Sequence, residues 1–314
     1  MLAIFAPRLI RTAAVFVLVT VGIFGLTALL PGDPALALAG ENPTPELIAS
    51  IREQLGLDRP LYEQYFGWLL ALFSGDLGTS LYFGVPVGEL IIARLPVTLS
   101  LTLVAVVISI VLGLAGGMVA AARRGTIVDR LATVLSTIGI ATPNFWFGMI
   151  FIIVFAFGLG WFPAVGYAPL ADGVGPWLAH LILPATALAL AGAAELMRQT
   201  RSSMTDTLGQ DYIRTARAQG LRPAAIYWRR ALRNASIPLV TVVAFQVALL
   251  LGGVVIVEKI FGLPGLGSLV IDAVFSKDLP VVQGVVLVNA IIVLSLNLLT
   301  DFLYTLLNPK VRHG

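Results

Sequence analysis

Side chains that could act as nucleophiles, general acids or metal ligands are scarce in this sequence. It contains no cysteine, which excludes a disulfide framework, a thiolate metal site and a cysteine nucleophile. Its two histidines, His180 and His313, are too few and too far apart to form a metal site. No serine–histidine, glutamate–histidine or paired-aspartate constellation occurs within the apolar stretches. The sequence therefore predicts neither a catalytic residue nor a metal site.

A nucleotide-binding loop of the P-loop type is also excluded. Such a loop requires a lysine directly after a glycine, because that lysine reaches the nucleotide phosphates. The three lysines of this chain instead follow Glu258, Ser276 and Pro309. The glycine-rich residues 262–267 do not have the spacing of a dinucleotide-binding fingerprint. We interpret that stretch as a tight turn.

The most informative segment is residues 211–233, in which small and apolar residues alternate with arginines. Gly220 divides it, since glycine adopts a positive φ without steric cost and commonly follows the end of a helix. Pro223 suits the first turn of a second helix, where its missing N–H does no harm. We therefore expect two short helices. An interfacial hairpin with arginines on lipid headgroups is the alternative, but it would not need an alanine-rich face and a sharp glycine turn together.

The elements that position this segment are membrane-spanning helices. Of the 314 residues 58% are hydrophobic and only 12% are charged, whereas about a quarter of a soluble domain is charged. A helix needs about 20 apolar residues to cross the hydrocarbon core. Six stretches meet that length, at residues 9–30, 97–122, 131–159, 179–197, 237–257 and 281–307. The predicted fold class is an all-α polytopic membrane protein with six transmembrane helices.

The third stretch, 131–159, is too long for one straight span, and Pro143 predicts a kink or a shifted start within it. In the second span, Gly113 and Gly117 form a G-x-x-x-G face, which allows a neighbouring helix to approach closely. Glu195 and Arg198 are three residues apart near the inner end of the fourth span. We expect them to pair on one helix face.

Other polar residues interrupt the spans. Asn144, Gln246, Asn289 and Asn297 could line a path through the membrane for the amide groups of a solute. Hydrogen bonds between helices would explain the same residues equally well.

The positive charges are distributed unevenly between the two sides of the spans. If the N-terminus is cytoplasmic, 15 of the 20 arginine and lysine residues lie on the cytoplasmic side, eight of them in residues 198–233. The positive-inside rule therefore predicts that both termini are cytoplasmic. Basic residues sorted in this way, without a soluble fold to carry them, do not indicate a nucleic-acid partner.

Between the first two spans, residues 31–96 form a polar segment with eight acidic residues and three arginines. Thr44 and Pro45 predict the start of an amphipathic helix that ends at Gly56, and residues 60–73 predict a second one. This small helical, extracytoplasmic module could receive an external protein, or it could cover the outer helix ends.

The chain is accordingly divided into three parts. Residues 1–30 hold the cytoplasmic N-terminus and the first transmembrane helix, and residues 31–96 form the extracytoplasmic module. Residues 97–314 form a five-helix core that carries the cytoplasmic loop at about 198–236.

Residues 211–233 resemble the EAA loop of binding-protein-dependent ABC importers, in the form found in the dipeptide/oligopeptide and nickel permease family. The run T-A-R-A-Q-G-L at 215–221 matches the local form of that loop, with Ala216 and Gly220 at the family's alanine and glycine positions. Leu232 and Arg233 stand where many members carry Leu-Pro. In this departure the loop resembles the longer loop of the first of the two permease subunits, and not that of its partner. Further similar stretches extend over nearly the whole chain, at residues 31–34, 75–80, 142–148, 261–267, 278–284 and 301–310.

The resemblance implies a permease subunit of an ATP-driven importer in a bacterial cell membrane, with di- or oligopeptides as the substrates. It implies a second homologous permease, two ATP-binding subunits and an extracytoplasmic solute-binding protein as partners, besides the lipid bilayer. ATP and Mg would be bound by the partner ATPase, so no cofactor is expected in this chain. The residues implied to couple to the ATPase are Arg214, Thr215, Ala216, Arg217, Ala218, Gly220 and Leu221.

The same family skeleton also serves nickel chelates and glutathione, so the exact substrate stays open. A self-sufficient secondary transporter or channel is the alternative of a different class. Such a protein is expected to show an inverted repeat, or broken helices with a charged residue at the membrane midplane. Neither feature is recognised in the sequence.

Overall fold

The structure is a computed structural model and describes residues 2–29, 35, 36, 39 and 44–307. For residues 2–9, 237, 251 and 300–307 it describes the backbone alone. Within these ranges the chain is helical, and the one β pairing is an isolated antiparallel bridge between Thr79 and Pro86. The prediction of a helical fold is confirmed. The motif at residues 31–34 and the last three residues of the motif at 301–310 lie outside the described ranges.

The described residues form the following long and short helices. In chain order they are α1 (Leu2–Leu29), α2 (Pro45–Gln54), α3 (Leu61–Phe73), α4 (Val87–Ala122), α5 (Ile127–Ala141), α6 (Asn144–Phe151), α7 (Val174–Leu208), α8 (Asp211–Ala218), α9 (Leu232–Ile260), α10 (Leu266–Phe275) and α11 (Leu279–Leu307). A π-helical segment, Ile152–Gly158, continues α6, and a second one, Ile226–Ala231, leads from a short turn at Pro223–Ala225 into α9.

Several of these helices are long and apolar enough to cross a membrane. Four qualify among the described residues, and up to six do so if each of two bent helix pairs is counted as one span. One bent pair is α5 and α6, which meet at 103° on either side of Thr142 and Pro143. Proline cannot donate a backbone hydrogen bond and disfavours helix at the residue before it, so the break falls where the sequence predicts it.

The described helices pack into two compact units, and the first comprises residues 1–98 and 264–295. In it, the Thr44 side chain accepts a hydrogen bond from the Leu47 N–H (3.3 Å) and caps α2, and Gly56 follows the helix with φ +64°. The predicted amphipathic helices are both confirmed. The buried core of this unit consists of Val87, Ile91, Leu266, Leu269, Ala273, Val281, Val282 and Val285.

Asp278 fixes a loop of the first unit. Its carboxylate is buried and accepts hydrogen bonds from the Ser80 hydroxyl (2.5 Å) and from the backbone N–H groups of Leu81 (3.1 Å) and Tyr82 (3.2 Å). A buried carboxylate is tolerated when several donors satisfy its oxygens. The contact therefore joins residues 75–80 to residues 278–284, two stretches that are about 200 residues apart in the sequence.

The second unit comprises residues 99–263 and 296–314, and it depends on glycines where α4 meets α7. A Cβ atom built at Gly113 would lie 2.7 Å from the Leu196 Cβ, and one at Gly117 would lie 2.6 Å from the Met197 carbonyl oxygen. Real side chains do not approach that closely, so any larger residue would force the helices apart. The close packing predicted from the G-x-x-x-G face is confirmed.

Gly117→Ala is expected to destabilise the protein by about 1–3 kcal/mol, because the new methyl group overlaps a backbone carbonyl that cannot move aside. The matched control is Gly252→Ala in α9, where a Cβ atom would meet nothing within 4 Å. Alanine there should be neutral or slightly stabilising, because it favours the helix. Thermal aggregation of the detergent-solubilised variants measures the difference, and equal midpoints would contradict the close α4–α7 contact.

Candidate functional site

Residues 211–231 form a compact structure that we call the basic hairpin. Helix α8 ends at Ala218, Gly220 turns the chain with φ +73°, and Pro223 opens the next helical turn. No other atom lies within 4 Å of a Cβ built at Gly220, so only the backbone conformation requires glycine there. The first short helix and the glycine turn predicted from the sequence are confirmed, whereas the second helical stretch is not separate and continues from Pro223 through the π-helical segment into α9.

One face of the basic hairpin is buried against its own chain. Ile213 is fully buried and Ala216 is 5% exposed. They belong to an apolar cluster that also draws on the ends of α4 and α7 and the start of α9. Its buried members are Ala121, Met204, Ile213, Ala216, Ile226, Ala231 and Ala235, and Leu221 packs against them. This packing holds helix α8 in place, although a helix of eight residues is unstable by itself.

The opposite face is polar and open to solvent. Arg214, Thr215, Arg217, Ala218 and Gly220 are exposed. Arg214 makes an exposed ion pair with Asp211 (3.3 Å), which is worth only about 0–1 kcal/mol. Of the residues proposed from the sequence, Ala216 and Leu221 serve the packing of the hairpin, and the other five form the surface that a partner protein could contact.

An ion pair between the buried carboxylate of Asp129 and the partly exposed Arg201 joins α5 to α7 close to this cluster, and it was not predicted from the sequence. The Arg201 guanidinium donates through Nε and Nη2 to the two carboxylate oxygens of Asp129, which also accepts the Gly125 N–H (2.9 Å). Asp129 is 5% exposed. Removing Arg201 would leave the buried Asp129 carboxylate without its counter-charge, although solvent at the partly exposed arginine already screens part of the interaction. The signal that could have revealed the pair is one aspartate in the first turn of the apolar helix α5.

Glu195 and Arg198 form a second ion pair on α7, as predicted. Arg198 Nη2 lies 2.8 Å from Oε1 and 2.7 Å from Oε2 of Glu195. The side chains are 40% and 67% exposed, respectively. A pair this open to solvent contributes only about 0–1 kcal/mol to stability, so its two charges separate at little cost.

Asn144 and Gln246 line the same cavity of about 620 Å³ among α5, α6, α7 and α9, which we call cavity A. Gln246 connects α9 to α4 there, because its Nε2 donates a hydrogen bond to the Ser109 hydroxyl. A Cβ atom at Gly192 of α7 would overlap the Gln246 amide, so the glycine leaves the space through which the Gln246 side chain reaches Ser109. Of the two alternatives for Gln246, the hydrogen bond between helices is observed.

Asn289 lies in α11 within the first unit. Its Oδ1 atom is buried and has no hydrogen-bond partner among the described residues. Two of the four polar residues predicted for a path, Asn144 and Gln246, thus line cavity A, and Asn289 and Asn297 are not among its lining residues.

Similarity to known proteins extends along the whole chain. Residues 113–313 match the family model described as binding-protein-dependent transport system inner membrane component, and residues 1–102 match the N-terminal model of that membrane component. A peptide transport system permease protein of Brucella abortus (strain 2308) is 43% identical over 313 residues, which is 100% of each chain. The glutathione transport system permease protein GsiC of Escherichia coli O6:H1 is 40% identical over 306 residues, 98% of this chain and 97% of that protein.

A solved structure also has the same fold. A chain of the inward-facing MetNI methionine ABC transporter superposes with a TM-score of 0.58, covering 70% of this chain and 97% of its own. Sequence identity is 18%, so this likeness concerns the fold alone.

Proposed function

Because the chain belongs to the family of binding-protein-dependent transport system inner membrane components, we propose that it imports short peptides as the permease subunit of an ATP-driven transporter. The permease role and the bacterial inner membrane follow from the family. The substrate class is supported by relatives of nearly equal length that are named for peptides and for glutathione, itself a tripeptide.

The observation that carries the coupling mechanism is the construction of the basic hairpin. Its apolar face is fixed in the cluster around Ile213 and Ala216, so the hairpin can transmit force to α4, α7 and α9. Its exposed arginine face lies on the side that the charge distribution assigns to the cytoplasm. The chain has no P-loop lysine, so ATP would be hydrolysed by separate subunits. Arg214, Thr215, Arg217, Ala218 and Gly220 would contact such a subunit, while Ala216 and Leu221 hold the contact surface in place.

Further partners are part of the proposal. Phe245 is 67% exposed and Leu249 is 60% exposed, and both line cavity A on α9. Large apolar side chains at the edge of a cavity that also holds amide side chains favour a second permease subunit that faces them and completes the path. An extracytoplasmic solute-binding protein would deliver the peptide, and two ATP-binding subunits would bind ATP and Mg.

The proposed topology has six spans, with both termini in the cytoplasm. Residues 1–30 would provide the first span, residues 31–96 the extracytoplasmic module, and residues 97–314 the core. The bent pair of α5 and α6 supplies one span, and the part of α9 from Pro238 onward supplies another, since residues 223–236 belong to the cytoplasmic loop. The acidic composition of the module supports a role in receiving the solute-binding protein.

A secondary transporter is the competing function, and one observation favours it. The break at Pro143 divides a span into α5 and α6, which is a discontinuity of the kind that such transporters use. The nearby acidic residues of this unit are already paired, since Asp129 binds Arg201 and Glu195 binds Arg198. The energy source therefore decides between the two functions.

The topology is tested by labelling, because the chain has no cysteine and single cysteines are unambiguous. In intact cells, Ser50→Cys in α2 should react with a membrane-impermeant maleimide. Thr126→Cys, between α4 and α5, should react only after the membrane is opened. Both positions are exposed in the structure. The unsubstituted chain serves as the blank, and the reverse labelling pattern would contradict the proposed orientation.

The energy source is tested by reconstitution. The chain alone in proteoliposomes should neither hydrolyse ATP nor accumulate peptide under a proton gradient. Vesicles with both permeases, the ATP-binding subunits and the binding protein should accumulate labelled di- and tripeptides only with ATP. The second permease should also raise the melting temperature, since it binds only the folded chain. Peptide accumulation by the chain alone, without ATP, would establish the secondary transporter instead.

Gly220→Val should abolish peptide uptake and the stimulation of ATP hydrolysis by the binding protein. A β-branched residue is strongly disfavoured at φ +73°, with a cost above the roughly 1–2 kcal/mol of the left-handed region for other residues. Gly220→Asn should retain most activity, because asparagine tolerates that region.

Gly209→Val is the matched control in the same loop. Gly209 has φ −80°, and a Cβ atom there would make only ordinary contacts of 3.5 Å and more. Gel filtration verifies that each variant still assembles with its partners. Wild-type uptake by assembled Gly220→Val would show that the hairpin turn is not needed for coupling.

A further inference from the structure

Two cavities meet on one stretch of α7, and their polar groups differ in kind. Cavity A is lined by Asn144 and Gln246, which carry amides, and by Glu195, which carries a carboxylate. A second cavity of about 310 Å³, which we call cavity B, is lined by Arg198 and Arg201 of α7 and by hydroxyl groups of α5. Ile140 lines both cavities. An anionic site and a cationic site are thus adjacent along one helix.

The two sites are joined by the Glu195–Arg198 ion pair. Glu195 lines cavity A and Arg198 lines cavity B, and the guanidinium contacts both carboxylate oxygens. In cavity B, Arg201 is already held by the buried Asp129. Arg198 is therefore the arginine of cavity B that can exchange its present partner, Glu195, for an incoming anion.

We propose that the Glu195–Arg198 pair opens to bind the two charged ends of a zwitterionic short peptide on its way through the membrane, the ammonium group on Glu195 and the carboxylate on Arg198. This inference rests on the proposed function and identifies the part of the peptide that this subunit recognises. One internal ion pair is exchanged for two ion pairs with the substrate, so no charge is left without a partner. Since the internal pair is exposed to solvent and weak, the exchange is easily reversed, as a transient site on a path requires.

The dimensions agree with a short peptide. Residues 195 and 198 are separated by about 4.5 Å along the helix axis. The charged ends of an extended dipeptide are about 7 Å apart, and those of a tripeptide about 10 Å. Both side chains are long and flexible, so they can separate to these distances when they point into different cavities. Cavity A, at about 620 Å³, is of the size that holds small ligands, and Asn144 among its lining residues can bond the peptide backbone.

The test uses the complete transporter in proteoliposomes, with saturating binding protein and a set of labelled di- and tripeptides. Glu195→Gln and Arg198→Gln should each reduce the rate of ATP-dependent uptake by about tenfold or more, because each removes a charged partner of the substrate. Arg130→Gln, which removes an exposed positive charge of α5 outside both cavities, is the matched control and should transport like the wild type.

The double variant with Glu195→Arg and Arg198→Glu separates recognition from stability. It keeps opposite charges three residues apart, so the helix pair and the melting temperature should be retained. It places the positive charge in cavity A and the negative charge in cavity B, so uptake should stay as low as in the single variants. Wild-type uptake by this variant, or by either single variant, would overturn the inference, since the pair would then be structural or dispensable.

The two proposals fail in different ways. If wild-type vesicles accumulate none of the peptides with ATP and binding protein, the proposed function itself is wrong. If the wild type accumulates peptide and Glu195→Gln does so at the same rate, only the exchange of the ion pair is wrong.

Discussion

The close approach of α4 to α7 is the contact on which the second unit depends. Three glycines of α4 face Leu196, Met197 and Thr200 of α7, at distances that leave no room for a Cβ atom. Between apolar helices, such packing replaces the hydrophobic effect that lipid surroundings do not provide. It also brings Ala121 and Met204, near the ends of these helices, into the cluster under the basic hairpin. Cavity A and the hairpin therefore share α7 as a support, besides α9, into which the hairpin continues.

The features that the sequence predicts correctly are those decided by neighbouring residues. Thr44 caps α2 because its side chain reaches an N–H three residues on. Pro143 breaks a span, and Gly220 takes a positive φ, for reasons contained within a few positions. The composition likewise suffices for the membrane class, because so few charges cannot cover a surface in water.

The contacts that are not predictable from the sequence join residues that lie far apart in the chain. Asp129 and Arg201 are 72 residues apart, and Ser80 and Asp278 are 198 residues apart. One sequence shows that a buried carboxylate needs a partner, but not which helix supplies it. The resemblance of residues 215–221 to a known loop suggests a contact with another protein, and it does not reveal that Ala216 is buried in its own chain. A contact between two proteins depends on the surfaces of both, and this sequence encodes one of them.

The π-helical segment Ile226–Ala231 gives the connection between the basic hairpin and α9 a mechanical property. A π turn holds one residue more than an α turn closed by the regular hydrogen bonds. If that residue shifts along the helix, the part beyond it rotates by about 100°, since an α-helix has 3.6 residues per turn. Such a shift of the π turn leaves the chain helical, because each backbone carbonyl exchanges its hydrogen bond for one to a neighbouring N–H. A shift of this kind would rotate α9, the helix that carries Gln246, relative to the basic hairpin.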